Sequence, residues 1–267
     1  ARIEITPDKK KAVIGNTPFG DSKGMLIVDL GTGRTTKLFG DMAIYEIELA
    51  SDGRVWALLD ETKELAVINV DTLNVEKFIL DEPGRDIVFS PDGNKAYISL
   101  FTKDIAIFEV KPSIRLAGGI TQLPSRNKTQ VRRQEMAISL DGNRLFISGE
   151  NNISVVDINS KLVIETIALP IRSTSLLLRL SPDGRFLYAG EYLGTVIAKY
   201  NISNGVVSKP FTVQNQKGII SNLSISSNGD VLYINRFYGI SLFDTQKEAF
   251  ITDIQTSPGV GGLNPFS

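Results

Sequence analysis

The chain has 267 residues, of which 42% are hydrophobic and 22% are charged, and its formal net charge is -1. This composition is typical of a globular protein, and the small net charge predicts neither a nucleic-acid partner nor attraction to an anionic membrane. Cysteine and histidine are both absent, which excludes disulfides, metal sites built on Cys or His, and catalytic triads that use histidine. Any catalysis would therefore use Asp, Glu, Arg, Lys, Tyr or Ser. No segment reaches the roughly 18 apolar residues of a membrane-spanning helix, so membrane insertion is not expected.

A repeated unit runs along the chain. Its clearest copy spans residues 87–110 and combines an apolar strand, a Pro-Asp-Gly turn and two further β-rich segments. The turn residues that mark successive units are Asp8, Asp52, Asp92, Asp141, Asp183 and Asn228. Their spacings are 44, 40, 49, 42 and 45 residues. A period in the forties that is built from short strands and turns predicts a propeller.

Each unit predicts four antiparallel strands. The first strand leads into the turn, where Asp tolerates tight backbone geometry and Gly supplies a positive φ. The second strand is exemplified by Lys95–Leu100, the third by Ile105–Val110 and the fourth by Val75–Leu80. The predicted fold class is all-β, a β-propeller of four-stranded antiparallel blades, an arrangement that leaves only short exposed edges.

The predicted propeller is a single domain, 1–267, with six complete blades. The approximate blade limits are 1–40, 41–82, 83–131, 132–172, 173–217 and 218–256. Residues 257–267 are interpreted as the start of a further blade or as a terminal strand. Pro258-Gly259 repeats Pro83-Gly84, and 264–267 resembles 87–90. Both six and seven blades remain open.

The turn and the strands around it resemble those of a known family. Ser181-Pro182-Asp183-Gly184 is followed by a strand that carries Tyr188, and the third strands end in polar turns such as 71–74. This pattern resembles the YVTN-type, lactonase-like β-propellers of bacteria and archaea, over nearly the whole chain. The resemblance favours seven blades and implies an exported prokaryotic protein, and a start at Ala1 rather than Met fits a processed form. We therefore expect an extracellular or periplasmic location, with the cytoplasm as the alternative.

The first strands of the units have two different faces, because successive side chains of a strand alternate. One face is apolar and is expected to pack between blades: Ile3, Ile5, Ile47, Leu49, Ile87, Phe89, Met136, Ile138, Leu178, Leu180, Leu223 and Ile225. The other face is expected to line the central channel and is polar in most units, with Arg2, Glu4, Glu46, Glu48, Asp86, Glu135, Arg179 and Asn222. Buried charges must be paired, hydrated or bound to metal.

The channel positions allow three interpretations: a hydrated channel with structural ion pairs, a pocket for a polar ligand, and a cation site. Candidate metal ligands are Glu46, Asp86 and Glu135, since Ca²⁺ and other hard divalent cations favour carboxylate oxygens. No cofactor is required. The ligand-binding candidates in the channel are Arg2, Glu46, Asp86, Glu135, Arg179 and Asn222.

The loops between second and third strands give a second candidate surface. Tyr192, Arg236, Phe237 and Tyr238 are expected on one rim together with Phe101, and Arg and aromatic residues dominate interface hot spots. The sequence therefore predicts a non-enzymatic, monomeric scaffold that binds a protein or a small polar ligand. The alternative is a lactonase-like hydrolase, or a lyase or isomerase, that uses channel carboxylates as acid, base or cation ligands.

Overall fold

The structure is a computed structural model that describes residues 2–15, 23–59, 62–101, 104–121, 134–173, 175–213, 219–237 and 239–255. These residues form strands, turns and irregular segments, and they contain no helix. They fall into two compact units, Ala1–Ser125 and Arg126–Ser267. The possible seventh-blade segment 257–267 lies outside the described residues.

The first unit contains three antiparallel sheets of four strands, each in simple chain order. The first sheet contains β1 (Arg2–Ile5), β2 (Lys11–Gly15), β3 (Met25–Asp29) and β4 (Thr35–Leu38). The second sheet contains β5 (Ile44–Leu49), β6 (Val55–Leu59), β7 (Glu64–Ile68) and β8 (Val75–Ile79). The third sheet contains β9 (Gly84–Phe89), β10 (Lys95–Leu100), β11 (Ile105–Glu109) and β12 (Arg115–Ile120).

The second unit also contains three sheets. The fourth sheet contains β13 (Met136–Ile138), β14 (Arg144–Ser148), β15 (Asn152–Asp157) and β16 (Leu162–Ala168). The fifth sheet contains β17 (Leu176–Leu180), β18 (Phe186–Glu191), β19 (Val196–Asn201), β20 (Val206–Val207) and β21 (Phe211–Thr212). The sixth sheet contains β22 (Ile220–Ile225), β23 (Val231–Arg236), β24 (Gly239–Asp244) and β25 (Ala249–Gln255). In the fifth sheet β20 and β21 both pair with β19, so the fourth strand is split in two. The prediction of six four-stranded antiparallel blades is confirmed, and each sheet lies within one predicted blade range.

Neighbouring sheets pack face to face through their apolar side chains. In the first unit the first strands β1, β5 and β9 contact one another in series, as β13, β17 and β22 do in the second. Trp56 of the second sheet meets the rings of Phe89 and Phe108 of the third sheet edge-on, at 5.3 and 5.8 Å between centroids. Sheets in the middle of a unit are consequently buried on both faces, as all five residues of β6 show.

The first sheet departs from the sequence prediction. Ile3 and Ile5 were expected to pack between blades, but they are 61% and 54% exposed. The equivalent Ile47 of the second sheet is buried in a core that includes Val13 of the sheet before it. The expectation therefore fails for β1.

The turn between the first and second strands is built by the same local hydrogen bonds in most sheets. In the third sheet the Ser90 hydroxyl donates to Asp92 Oδ1 at 2.6 Å, and the same oxygen accepts the Asn94 backbone N–H at 3.0 Å. The Ser90 oxygen in turn accepts the Lys95 N–H at 2.9 Å, which fixes the start of β10. The same hydroxyl–carboxylate bond joins Thr6 to Asp8, Ser139 to Asp141 and Ser181 to Asp183.

Two sheets build the turn with different atoms. In the sixth sheet Asn228 replaces the aspartate, and its Oδ1 accepts the Ser226 hydroxyl at 2.7 Å. The second sheet has Ala50 at the hydroxyl position, and Arg54 compensates by donating Nε and Nη2 to Asp52 Oδ2 at 2.9 and 2.7 Å.

These hydrogen bonds also stabilise the charged form of the turn carboxylates. The Ser181 hydroxyl, followed by the Arg185 backbone N–H, lowers the pKa of Asp183 to about 2. Bonds from Ser90 and Asn94 lower the pKa of Asp92 in the same way. The carboxylates of these turns are therefore ionised at neutral pH. A carboxylate whose pKa is lower in the folded than in the unfolded chain stabilises the fold at any pH above its unfolded pKa. That stabilisation is lost as the pH falls through the folded pKa.

We expect Asp92→Ala to destabilise the chain by about 1 kcal/mol, because it removes the acceptor of three local hydrogen bonds, one from the Ser90 hydroxyl and two from the backbone and side-chain N–H groups of Asn94. Asp92→Asn is the matched control, since Asn228 makes the equivalent bonds in the sixth sheet. Urea unfolding of the two variants and the parent chain measures the difference. Equal stability of Asp92→Ala and Asp92→Asn would contradict a role for the Asp92 carboxyl oxygen in this turn.

Candidate functional site

In the second unit, three of the predicted channel residues come together in one hydrogen-bonded network. Glu135 lies immediately before β13, Arg179 lies in β17 and Asn222 lies in β22. Arg179 Nη1 lies 2.9 Å from Glu135 Oε2, and Arg179 Nη2 donates to Asn222 Oδ1 at 2.8 Å. One guanidinium group therefore links the first strands of three successive sheets, and we call these three residues the Arg179 network.

The backbone completes the Arg179 network. Arg179 Nε donates to the Leu223 carbonyl at 2.6 Å, and the Leu178 N–H donates to Glu135 Oε2 at 3.0 Å. The Glu135 backbone N–H donates to Ser148 Oγ at 2.9 Å. Glu135 is almost completely buried while Arg179 is partly exposed. A buried carboxylate with these partners is held in a structural ion pair, which satisfies the requirement for compensation of a buried charge.

The first unit contains a second pair of predicted residues. Arg2 Nη2 of β1 lies 2.6 Å from Glu46 Oε2 of β5, and both side chains are largely buried. Because β1 and β5 are the first strands of adjacent sheets, this ion pair joins the two sheets. Glu46 thus has a counterion, as Glu135 has in the second unit.

The predicted cation ligands are Glu46, Asp86 and Glu135. Asp86 lies buried in β9, opposite Ser99 of β10. Among the described residues, no group of three or more acidic side chains is arranged to hold a metal ion. The cation site stays a prediction.

In the first unit, the guanidinium group of Arg85 lies over two aromatic rings. The Arg85 guanidinium carbon lies 4.5 Å from the ring centroid of Tyr45 and 4.6 Å from that of Phe101. Tyr45 and Arg85 are the extra residues of bulges in β5 and β9, where each first strand shifts register against its second strand. We call Tyr45, Arg85 and Phe101 the Arg85 stack.

Sequence reasoning found Phe101 but missed Tyr45 and Arg85. Strict alternation places these two side chains on the face opposite Glu46 and Asp86, so neither was selected. A bulge adds one residue to a strand and re-aims its side chains. One feature of the sequence could have indicated them: Tyr45 directly precedes Glu46, and Arg85 directly precedes Asp86, near the start of a first strand.

Arg236 requires a correction. The sequence predicts it on an exposed rim, but its side chain is 1% exposed. Its Nη2 donates to Asp253 Oδ1 at 2.8 Å, and the Ser241 hydroxyl donates to the same oxygen at 2.5 Å. Arg236 lies at the end of β23, where alternation turns its side chain to the same buried face as Leu232 and Ile234. It is therefore a buried ion-pair residue of the sixth sheet and does not present its guanidinium at a rim.

The other residues predicted at this rim, Tyr192, Phe237 and Tyr238, differ in their surroundings. Tyr192 follows β18 and packs against the core between the fifth and sixth sheets. Phe237 follows β23 and is half-buried. Tyr238 lies outside the described residues. Ligand binding by these residues stays a prediction.

Two small clefts lie between the first turns of adjacent sheets, one in each unit. The cleft of the second unit has a volume of about 220 Å³ and is lined by Asp183, Tyr188 and Lys199. Burial raises the pKa of Tyr188 to about 12, so this phenol stays protonated. The cleft of the first unit measures about 270 Å³ and is lined by Asp8 and Asp52 among others. Both clefts are by-products of the repeated turn, and the sequence did not single them out.

A lysine bridges the sheets beside each cleft. Lys199 Nζ donates to Glu248 Oε1 at 2.7 Å, from the fifth sheet to the sixth. Lys11 Nζ donates to the Val70 carbonyl at 2.7 Å and to Asp71 Oδ1 at 2.6 Å, from the first sheet to the second. The charged groups at both clefts therefore hold neighbouring sheets together.

Comparison with known proteins identifies the fold. No protein-family model matches the chain, and no curated protein sequence matches it. Among solved structures, the chain is similar to hydrazine synthase of Kuenenia stuttgartiensis, with a TM-score of 0.76 and 18% identity over 95% of this chain and 86% of that one. It is also similar to the β-propeller domain of Cps50 (Swd1) from Myceliophteria thermophila, with a TM-score of 0.75 and 11% identity over 95% and 86%.

The chain is therefore a β-propeller of six four-stranded antiparallel blades. At these identities the similarity establishes the fold alone. The comparisons do not show membership of the YVTN-type, lactonase-like group, which stays an expectation from the repeat sequence.

We expect Arg179→Ala to destabilise the chain by about 3 kcal/mol or more, because it leaves the Glu135 carboxylate buried without its counterion. Glu135→Gln in the Arg179→Ala background should restore part of that loss, since it removes the uncompensated charge. Denaturant unfolding of the two single variants and the double variant measures the coupling. Additive effects of the two substitutions would show that Arg179 and Glu135 do not depend on each other.

Proposed function

We propose that the chain is a non-enzymatic scaffold that binds a protein partner. The observation that carries this proposal is the state of the buried carboxylates. Glu46 is paired with Arg2, and Glu135 is paired with Arg179 and with a backbone N–H. A carboxylate that is fixed by a guanidinium at hydrogen-bonding distance is stabilised in its charged form and is a poor general acid or base near neutral pH.

The Arg85 stack is the proposed docking surface. Arg and aromatic side chains are enriched at the centres of protein interfaces, and Phe101 is 44% exposed. Contact with two rings restrains the Arg85 side chain, so less conformational entropy is lost when a partner binds. Propeller loops carry function on a rigid blade scaffold in the same way that loops do on other folds.

The location and ancestry of the protein belong to the same proposal. The described residues include no helix long and apolar enough to cross a membrane. We propose an extracellular or periplasmic prokaryotic protein of the YVTN-type, lactonase-like group, on the support of the repeat sequence.

Phe101→Ala should weaken partner binding by about tenfold or more, the loss typical of an interface hot spot. Leu116→Ala is the control, because Leu116 lies in β12 of the same sheet and is 52% exposed. Immobilised parent chain and both variants are incubated with extract of the source cells, and retained proteins are quantified by mass spectrometry. A partner that is retained by the parent and by Leu116→Ala but lost with Phe101→Ala supports the proposal. Identical retention by all three chains contradicts it.

The runner-up function is a lactonase-like hydrolase that uses Asp86 with a divalent cation, and the burial of Asp86 favours it. For the scaffold we expect no rise in melting temperature with Ca²⁺, Mg²⁺ or Mn²⁺ and no hydrolysis of a lactone panel. A bound cation at a hundredfold excess over its dissociation constant stabilises the native state by about 2.7 kcal/mol, which thermal shift detects easily. A cation-dependent rise that Asp86→Asn abolishes would favour the hydrolase instead.

A further inference from the structure

The chain contains the dipeptide Asn-Gly twice, and both copies follow a serine. Ser203-Asn204-Gly205 lies in the turn between β19 and β20 of the fifth sheet, and Ser227-Asn228-Gly229 lies in the turn between β22 and β23 of the sixth sheet. Asn204 and Asn228 are both exposed to solvent. Because the local sequences are alike, a difference in the chemistry of the two asparagines reports the structure around them.

An asparagine that precedes a glycine can lose its side-chain amide group without an enzyme. The backbone nitrogen of the glycine attacks the asparagine Cγ, a C–N bond forms, the Cγ–Nδ2 bond breaks, and ammonia leaves with the proton of the glycine N–H. Water then opens the resulting cyclic imide on one side or the other, which gives aspartate or isoaspartate. Glycine favours the attack because it has no Cβ to crowd the approach. Water is the only reagent consumed, and nothing is oxidised or reduced.

The attacking nitrogens of the two sites have equivalent surroundings. The N–H groups of Gly205 and Gly229 each donate to a backbone carbonyl at 2.9 Å. Both glycines have a positive φ, 72° and 80°. In each turn the asparagine Oδ1 accepts the backbone N–H of the residue two positions further on, at 3.1 Å for Asn204 and 3.3 Å for Asn228. These contacts therefore do not distinguish the two sites.

The side chain of Asn228 is held by two further hydrogen bonds. Its Oδ1 accepts the Ser226 hydroxyl at 2.7 Å, and its Nδ2 donates to Asp230 Oδ2 at 2.7 Å. Among the described residues, the side chain of Asn204 has no bond equivalent to either of these. The reaction requires Cγ to approach the next backbone nitrogen and Nδ2 to leave, so Asn228 has to break bonds that Asn204 does not make.

We propose that Asn204 is a site of spontaneous deamidation in the folded protein, and that the turn around Asn228 suppresses the same reaction there. The modification places a new negative charge in the turn that leads into β20. Where the product is isoaspartate, it also adds one carbon atom to the backbone of that turn. The reaction needs no binding partner, so this inference is independent of the proposed function.

At Asn228 the same product would disrupt the first turn of the sixth sheet. In the other five sheets, the residue two positions after the turn aspartate carries hydrogen-bond donors: Lys10, Arg54, Asn94, Asn143 and Arg185. In the sixth sheet this position is an acceptor, Asp230. Aspartate at position 228 would place two carboxylates where a donor and an acceptor now lie 2.7 Å apart, and like charges at that distance repel.

The test incubates the whole chain at mildly alkaline pH and follows both sites by peptide mapping with mass spectrometry, which separates asparagine, aspartate and isoaspartate. Asn204 should deamidate about tenfold faster than Asn228 or more, the factor expected from two additional hydrogen bonds. In urea that unfolds the chain the two rates should become similar, because both sites then have only their shared Ser-Asn-Gly sequence.

Asp230→Val is the matched variant, since it gives 227–230 the sequence of 203–206 and removes the acceptor of Asn228 Nδ2. Deamidation at Asn228 should then accelerate severalfold, and further when Ser226→Ala is added, while the rate at Asn204 stays constant. Thermal melting checks that both variants fold, and the comparison of the parent chain with and without urea does not depend on them.

Three results would overturn the proposal. The first is equal rates at Asn204 and Asn228 in the folded parent chain. The second is an equally large difference in urea, since the local sequence and not the fold would then be responsible. The third is no detectable deamidation at Asn204.

Discussion

The inner sheets of this protein are apolar on both faces, and this constraint governs the rest of the structure. In the second sheet every residue of β6 is buried, with Trp56 directed to the third sheet and Ala57 to the first. A sheet of this composition cannot be stable in water without a neighbour on each side. Stability is therefore a property of adjacent sheets and not of any single blade.

The polar groups near the start of the first strands have to be compatible with that packing. Where first strands of adjacent sheets meet, the side chains that do not enter a blade interface are crowded together. The charges are accommodated by pairing across sheets, Arg2 with Glu46 and Arg179 with Glu135. The carboxylates of Glu46 and Glu135, which the sequence made candidates for catalysis, are therefore used in ion pairs that hold adjacent blades together.

The repeat could be recognised from the sequence because its turn is defined by residues close together in the chain. Asp92 and Gly93 follow Ser90, and their spacing alone predicts the tight turn and the two strands around it. The pairing of Glu135 with Arg179 was foreseen as one of three interpretations, but sequence periodicity could not choose among them. That choice depends on distances between strands more than 40 residues apart.

The errors at the candidate site have physical causes. Tyr45 and Arg85 were missed because a β-bulge shifts the alternation on which the sequence argument relied. Arg236 was expected at a rim because it was assigned to the loop after the second strand. In the structure β23 extends through Arg236, and Asp253 of β25 in the same sheet compensates its charge and allows burial. Ile3 and Ile5 were assigned to a blade interface because their pattern is that of covered strands, and a pattern does not reveal whether a cover is present.

The turn hydrogen bonds have a consequence for how such a protein arises. The bonds that Ser90 and Asp92 make within the turn join residues no more than five positions apart. A duplicated stretch of gene that encodes one unit would therefore carry its own strand register to the new position. Duplication alone can then lengthen the protein by whole blades, while the side chains between blades diverge afterwards to fit their new neighbours.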